Sequence, residues 1–295
     1  MPSLRDLAEL VRAPAALSVP GDVVAGAAAA DALDRRVPGL AGASVLLYWA
    51  GMAANDLADR ELDARERPER PIPSGRVSPG LALGVSAGLT AAGIGLAGLA
   101  GGRRALAVAV PLAGAVWAYD LWAKNTAAGP AVMAGCRGLD VLLGASGGRM
   151  VRAVPAALTV AAHTYTVTEL SRREVSGATR ALPAATLAGT AAVAAAAVTR
   201  CRAGNPDRQA GRSRWRALVP AALAGWYGLQ YGTAQARVAA DPQASRVRAA
   251  VGAGITGLPA LQGALVARAG AALLGVAVAA AAPLGRHLAR KVPPT

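Results

Sequence analysis

Apolar residues in this chain come in blocks, most of them about 17–22 residues long, which is the length an α-helix needs to cross a bilayer. The blocks fall at roughly 14–30, 40–57, 79–100, 104–122, 128–147, 153–170, 181–199 and 215–235, with one or two more within 246–286. Within hydrocarbon only helices and closed barrels satisfy every backbone donor and acceptor, and blocks of this length specify helices. The sequence therefore predicts an all-α integral membrane protein with about nine transmembrane helices. No stretch between blocks is long enough for a soluble domain, so residues 1–295 read as one polytopic membrane domain. Alanine and glycine dominate the blocks and suit close helix–helix approach in lipid. A large soluble helical protein would need polar faces that these blocks lack.

The formal net charge is +14, with 31 Lys and Arg against 17 Asp and Glu. Such a balance can signal a nucleic-acid binder, but the basic residues lie between and beside the apolar blocks rather than along a stripe. Arg35 and Arg36, Arg60 to Arg76, Arg103 and Arg104, Arg200 to Arg216, and Arg286 to Lys291 all follow this rule. That is the flank charging of membrane helices, with anionic lipid headgroups as its natural contact and no nucleic-acid partner. The basic residues are nearly balanced between the two faces for nine helices. Splitting the last region into two helices tilts the balance toward a cytoplasmic position for the acidic segment that follows residue 54. Two cysteines, Cys136 and Cys201, have no metal-ligand spacing and make a disulfide framework improbable. No cleavable signal peptide is evident.

The segment Asn55 to Gly75 departs from everything around it. It runs Asn-Asp-Leu-Ala-Asp-Arg-Glu-Leu-Asp and then Arg-Glu-Arg-Pro-Glu-Arg-Pro-Ile-Pro-Ser-Gly, directly after the apolar block. On one continuous helix Asp56, Asp59 and Asp63 would share a face within roughly 60°, with Asn55 beside them. Mg²⁺ suits such a group, because it takes oxygen ligands from one or two carboxylates plus substrate phosphates. Arg67 and Arg70 follow where Pro68, Pro71 and Pro73 turn the chain out of the helix, and their guanidiniums match phosphate geometry. The competing reading is a solvated helix end with mixed charge. Three further stretches carry chemistry: Tyr119 with Asp120 and Lys124, the polar break from Thr168 to Gly177, and a set of intramembrane polar residues. In that set Asp22, Arg137, Asp140 and His163 are costly in lipid and should face a cavity or one another. Arg137 would pair either with a substrate diphosphate or with Asp140, three residues on. Lys124 would bind diphosphate, snorkel to the headgroups, or pair with Asp120.

The pattern Asn55-Asp56-x-x-Asp59-x-x-x-Asp63, followed by Arg-Pro-Ile-Pro-Ser-Gly from Arg70 to Gly75, resembles the first signature of the UbiA superfamily of intramembrane prenyltransferases. The resemblance implies a bundle of about nine helices round a central cavity, in a divergent branch of that family. It implies that Asn55, Asp56, Asp59 and Asp63 bind Mg²⁺ and an isoprenyl diphosphate, with Asp56, Asp59 and Asp63 as metal ligands. Arg67 and Arg70 would hold phosphate oxygens. Tyr119 and Lys124 are similar to a Tyr–Lys element near the end of the fourth helix, which gives Lys124 a catalytic role beside Asp56 and Asp59. Glu169, Arg172, Arg173 and Glu174 stand where the family has its second acidic motif, with glutamates in place of aspartates, and would contact substrate. An i,i+4 pair of Glu169 with Arg173 is the structural alternative there.

The expected activity is Mg²⁺-dependent transfer of a prenyl group to a small-molecule acceptor through a carbocation-like intermediate in a multi-pass protein of the cell membrane. The alternatives are a UbiA-like lipid-binding protein without catalysis and a membrane transporter or export component. No internal symmetry favours the transporter.

Overall fold

A computed structural model describes residues 2–199 and 214–280. Its regular secondary structure, among those residues, is helical alone. The elements are α1 (Leu4–Leu10), α2 (Pro20–Ala29), α3 (Val37–Ala58), α4 (Arg60–Glu66), α5 (Pro79–Leu121), α6 (Gly129–Gly144), α7 (Met150–Ser171), α8 (Ala181–Val198), α9 (Arg214–Ala240) and α10 (Ala244–Arg268). A further helical stretch covers 272–280. Four of these, α3, α5, α8 and α10, are long and apolar enough to cross a membrane. Large apolar side chains such as Leu99, Leu158, Leu218 and Leu229 are exposed on the outside of the bundle, as lipid contact requires.

α5 holds two of the predicted spans. Its 43 residues would be about 64 Å long if straight, twice the hydrocarbon thickness. At Gly102 the backbone takes φ 65° and ψ −155°, a conformation open essentially to glycine alone, and the helix folds back. The hydrogen bond from Trp117 Nε1 to Thr90 Oγ1, 3.0 Å long across 27 residues, exists only because the two arms are antiparallel. The break falls between the expected blocks 79–100 and 104–122.

The first expected span is shorter as a regular helix. Pro14 and Pro20 each lack an amide donor, and the segment forms a 3₁₀ turn over Ala13–Ser18 followed by the ten residues of α2. α2 in turn packs backbone to backbone on α6. A Cβ on Gly26 would fall 1.7 Å from the Val141 carbonyl oxygen, and one on Gly144 would fall 2.0 Å from that of Val23. Only glycine permits this approach, and it is what brings Asp22 and Arg137 face to face. The last expected region, 246–286, contains α10, then Gly270 with φ 111°, then 272–280 lying against α10. Cys201 and the basic groups from Arg200 to Arg212 and from Arg286 to Lys291 lie outside the described residues.

Two apolar cores share α2 and α6. One joins α2 and α6 with α7 to α10 around Val141, Val160, Leu170, Tyr227, Tyr231, Leu261 and Leu265. The other joins them with α3 and α5 around Leu40, Leu47, Leu112 and Leu143. Between α3, the second arm of α5, α6 and the start of α2 a cavity of about 70 Å³ remains, open on one side.

Candidate active site

α3 ends at Asp59, whose φ of −89° and ψ of 2° break the helix before α4 begins at Arg60. Asp56, Asp59 and Asp63 therefore do not share one uninterrupted helical face. Asp56 closes α3, Asp63 sits in α4, and a cation brings them together. Arg70 Nη1 lies 2.7 Å from Asp63 Oδ2 and 3.4 Å from Asp56 Oδ1, with all three side chains buried. The turn after α4 delivers Arg70 to that point. Its own carbonyl accepts from Ser74 Oγ at 2.6 Å, so the Arg-Pro-Ile-Pro-Ser-Gly segment folds back on itself. Gly75, with φ 76°, completes the turn. Arg67 stays exposed and reaches Asp63 only at 4.0 Å.

A second guanidinium, Arg12, reaches Asp56 Oδ1 at 2.8 Å across 44 residues of sequence. Sequence reading did not find it. Its signal was a left-handed residue (φ 47°) between a short helix and Pro14, legible only once the chain is folded. α1 is held to the site by Arg76, which donates to Asp6 Oδ1 at 2.6 Å and to both Glu9 carboxylate oxygens at 2.8 and 2.9 Å. Ser3 caps that helix, and its hydroxyl and amide together with Arg76 hold the Asp6 carboxyl down at about 2.

Lys124 pairs with Asp59, Nζ to Oδ1, at 2.6 Å, and not with Asp120. Asp120 is buried and accepts instead from Asn55 Nδ2 at 3.2 Å. Tyr119 is half-buried beside it, and both line the cavity. Asn55 thus couples the acidic helix end to the open interior of the bundle.

The loop after α7 comes to the same end of the molecule. Arg172 Nη1 donates to the Thr126 carbonyl, next to the Lys124 turn, at 2.5 Å. Arg248 from α10 donates to the Glu174 carbonyl at 2.7 Å. Burial pushes the Glu174 carboxyl above its ordinary range, while Arg248 and Arg67 pull the other way. Glu169 does not pair with Arg173, which is exposed; its nearest polar partner is Tyr165 on the preceding turn, at 3.5 Å. The Asn55–Gly75 segment, the Lys124 turn and the loop after α7 therefore meet at one end of the molecule.

The intramembrane polar residues pair differently from expectation. Arg137 is three residues from Asp140 on α6, yet its Nε lies 2.8 Å from Asp22 Oδ2 on α2. Asp140 accepts from Ser44 Oγ of α3 at 2.5 Å. The α2–α6 backbone contact makes Asp22 the nearer carboxylate. Arg137 thus sits on the cavity wall and not at the acidic end. His163 is a packing residue in the other core, hydrogen-bonded through Nδ1 to Tyr227 Oη at 2.9 Å.

Among the described residues no three His, Cys, Asp or Glu side chains gather in metal-binding geometry. Asp56 and Asp63 nonetheless converge on a single cationic nitrogen, and all their donor atoms are hard oxygens. Two carboxylates completed by phosphate oxygens are what Mg²⁺ takes, so the residues present fit that ion.

A model of the UbiA prenyltransferase family matches residues 18–291. Among curated proteins, digeranylgeranylglyceryl phosphate synthases are similar over short stretches. The one from Methanothrix thermoacetophila is 54% identical over 57 residues, 19% of this chain and 21% of that protein. The one from Natronomonas pharaonis is 40% identical over 96 residues, 32% and 35% of the two lengths. The chain thus aligns with about a fifth to a third of these relatives' lengths. A solved structure concerned with digeranylgeranylglyceryl phosphate synthase in membranes superposes with a TM-score of 0.66 at 17% identity, over 90% of this chain and 98% of that one. A UbiA homolog from Aeropyrum pernix K1 superposes with a TM-score of 0.62 at 19% identity, over 85% and 96%. At such identity these two establish the shared fold.

Proposed function

The chain belongs to the UbiA prenyltransferase family, and from that premise we propose that it transfers a prenyl group from an isoprenyl diphosphate to a small-molecule acceptor inside the membrane. The observation that carries this reading is the convergence of Asp56 and Asp63 on Arg70, with Arg12 and the Lys124–Asp59 pair beside it, above a mostly apolar cavity. Cations and carboxylates that neutralise one another in pairs are ready to exchange partners when a polyanion arrives.

Asp56 and Asp63 would hold Mg²⁺, with Asp59 joining once Lys124 turns to the substrate. Mg²⁺ bound there would supply positive charge to the diphosphate oxygens. Arg70, Arg12, Lys124 and the more exposed Arg67 would donate to the remaining phosphate oxygens and orient the leaving group. Glu169, Arg172, Arg173 and Glu174 would border the diphosphate from the opposite loop. Tyr119 stands where the C1 end of the prenyl chain would enter the cavity. The bond from C1 to the diphosphate oxygen breaks, and its electron pair leaves with diphosphate. Leu47, Leu112, Val116 and Met133 wall the developing carbocation away from water. A lone pair of the acceptor forms the new bond at C1, and its proton departs with the released diphosphate. With the last region divided into two helices, the tilt of flanking basic residues toward the acidic face supports a site that opens to the cytoplasm.

The deciding experiment incubates the detergent-purified protein with Mg²⁺, labelled C10 to C20 prenyl diphosphates and lysate metabolites. Asp56→Ala and Asp59→Ala run in parallel. A labelled product that disappears in both variants is the expected result. Metal-dependent binding with no product would instead favour a lipid-binding protein. Absence of metal-dependent diphosphate binding would overturn the reading.

A further inference from the structure

The cavity has a polar patch at the end away from the acidic segment. Three buried side-chain atoms of this cluster lack a hydrogen-bond partner: Asp22 Oδ2, which is ion-paired with Arg137 Nε, and two on residues that line the cavity, Arg137 Nη2, a donor, and Asp140 Oδ2, an acceptor. The Asp140 residue is 4% exposed and the Arg137 side chain 12%. Each is fixed from behind. Arg137 is held through Nε by Asp22, which itself accepts from Gln262 Nε2 at 2.6 Å, and Asp140 is held by Ser44. Buried donors and acceptors without partners cost free energy unless a ligand completes them.

A neutral hydroxyl does so. A hydroxyl can accept from a guanidinium N–H such as Arg137 Nη2 and donate to a carboxylate oxygen such as Asp140 Oδ2. A carboxylate or phosphate does not, because it has no proton for Asp140 and would meet two carboxylates, Asp22 and Asp140, against one guanidinium. Ser44 stands eleven residues before Asn55, about 16 Å along α3. A hydroxyl bound there is therefore not the group that attacks C1.

We propose that Arg137 and Asp140 form an acceptor-recognition subsite for a second, distal and uncharged hydroxyl, which assigns the acceptor to small molecules carrying a neutral hydroxyl away from the nucleophilic group. This rests on the prenyl-transfer reading for the word acceptor. The subsite itself rests only on the cavity wall.

Benzyl alcohol, benzyl methyl ether and benzoate make a matched probe set: donor plus acceptor, acceptor only, and anion. Their binding to the protein in lipid nanodiscs is measured by ligand-observed NMR, with empty nanodiscs as the blank. Benzyl alcohol is expected to bind at least about tenfold more tightly than either of the others, the size of one hydrogen bond to a charged group. Asp140→Asn removes a negative charge at constant shape and should bring benzoate level with the alcohol. Arg137→Met should erase the alcohol's preference. Should the methionine variant fail to stay monodisperse, the isosteric asparagine variant decides. Equal binding of the three probes, a lead for benzoate, no binding of any, or an unchanged preference in the asparagine variant overturns the proposal. Mg²⁺-dependent binding of labelled geranylgeranyl diphosphate is read on the same preparation. Its loss with the alcohol preference intact sinks the transferase reading alone, and the converse sinks the subsite alone.

Discussion

Arg70 donates from one nitrogen to two carboxylates that belong to different helices, and it is buried with them. Removing one member of such a group leaves uncompensated buried charge, which costs about 3–5 kcal/mol. Arg70→Met is therefore expected to lower the melting temperature of the purified protein, whereas Arg67→Met, exposed and 4.0 Å from Asp63, should leave it within about 0.5 kcal/mol of the parent. A scan showing equal effects would contradict the geometry. At this scale the sequence exposes residue types better than pairings. The Asn55–Gly75 segment announces its chemistry because acids and arginines are adjacent in the chain. Arg12 announces nothing, because its partner is 44 residues away. Arg137 misleads, since helical spacing favours Asp140 while a glycine-lined contact with α2 puts Asp22 closer.

The helix-level expectations succeeded where composition changes abruptly. The boundary between blocks 79–100 and 104–122 falls on the turn at Gly102, since two glycines and two arginines interrupt the apolar run there. They failed where regularity depends on backbone detail, as in the 3₁₀ turn between Pro14 and Pro20. Gly102→Ala places a Cβ on a φ of 65° with ψ −155° and is expected to cost about 1–3 kcal/mol, read as a lower melting temperature. α1 offers a pH test. Its Asp6 carboxyl sits at about 2, below the ordinary 3.8, because Ser3 and Arg76 bond the charged form. The clasp is thus fully present above pH 3.8 and is lost as pH falls through about 2. A fluorophore on Leu4→Cys should show constant anisotropy from neutral pH to about 4 and a fall below that. A transition near pH 6 would point to other groups.

For the molecule as a whole, the acidic segment, the Lys124 turn and the Glu174 loop gather at one end, and the tip of α5 lies at the other. Single cysteines at Glu69 and Val175, both exposed, should react with a membrane-impermeant maleimide from the same side of sealed vesicles. A cysteine at Arg104 should react only from the opposite side. If the acidic face is cytoplasmic, inverted vesicles label the first pair. Labelling of all three from one side would contradict the antiparallel arms.

The turn at Gly102 also bears on how this protein is made. With a single residue between the arms, no loop is available to let one helix settle in the bilayer while its partner waits outside. The two must enter as one paired unit, and if the acidic face is cytoplasmic, Arg103 and Arg104 are carried through the hydrocarbon at the leading tip. Biogenesis thus depends on the apolar weight of both arms together, so a charge placed in either one threatens the insertion of two spans at a stroke.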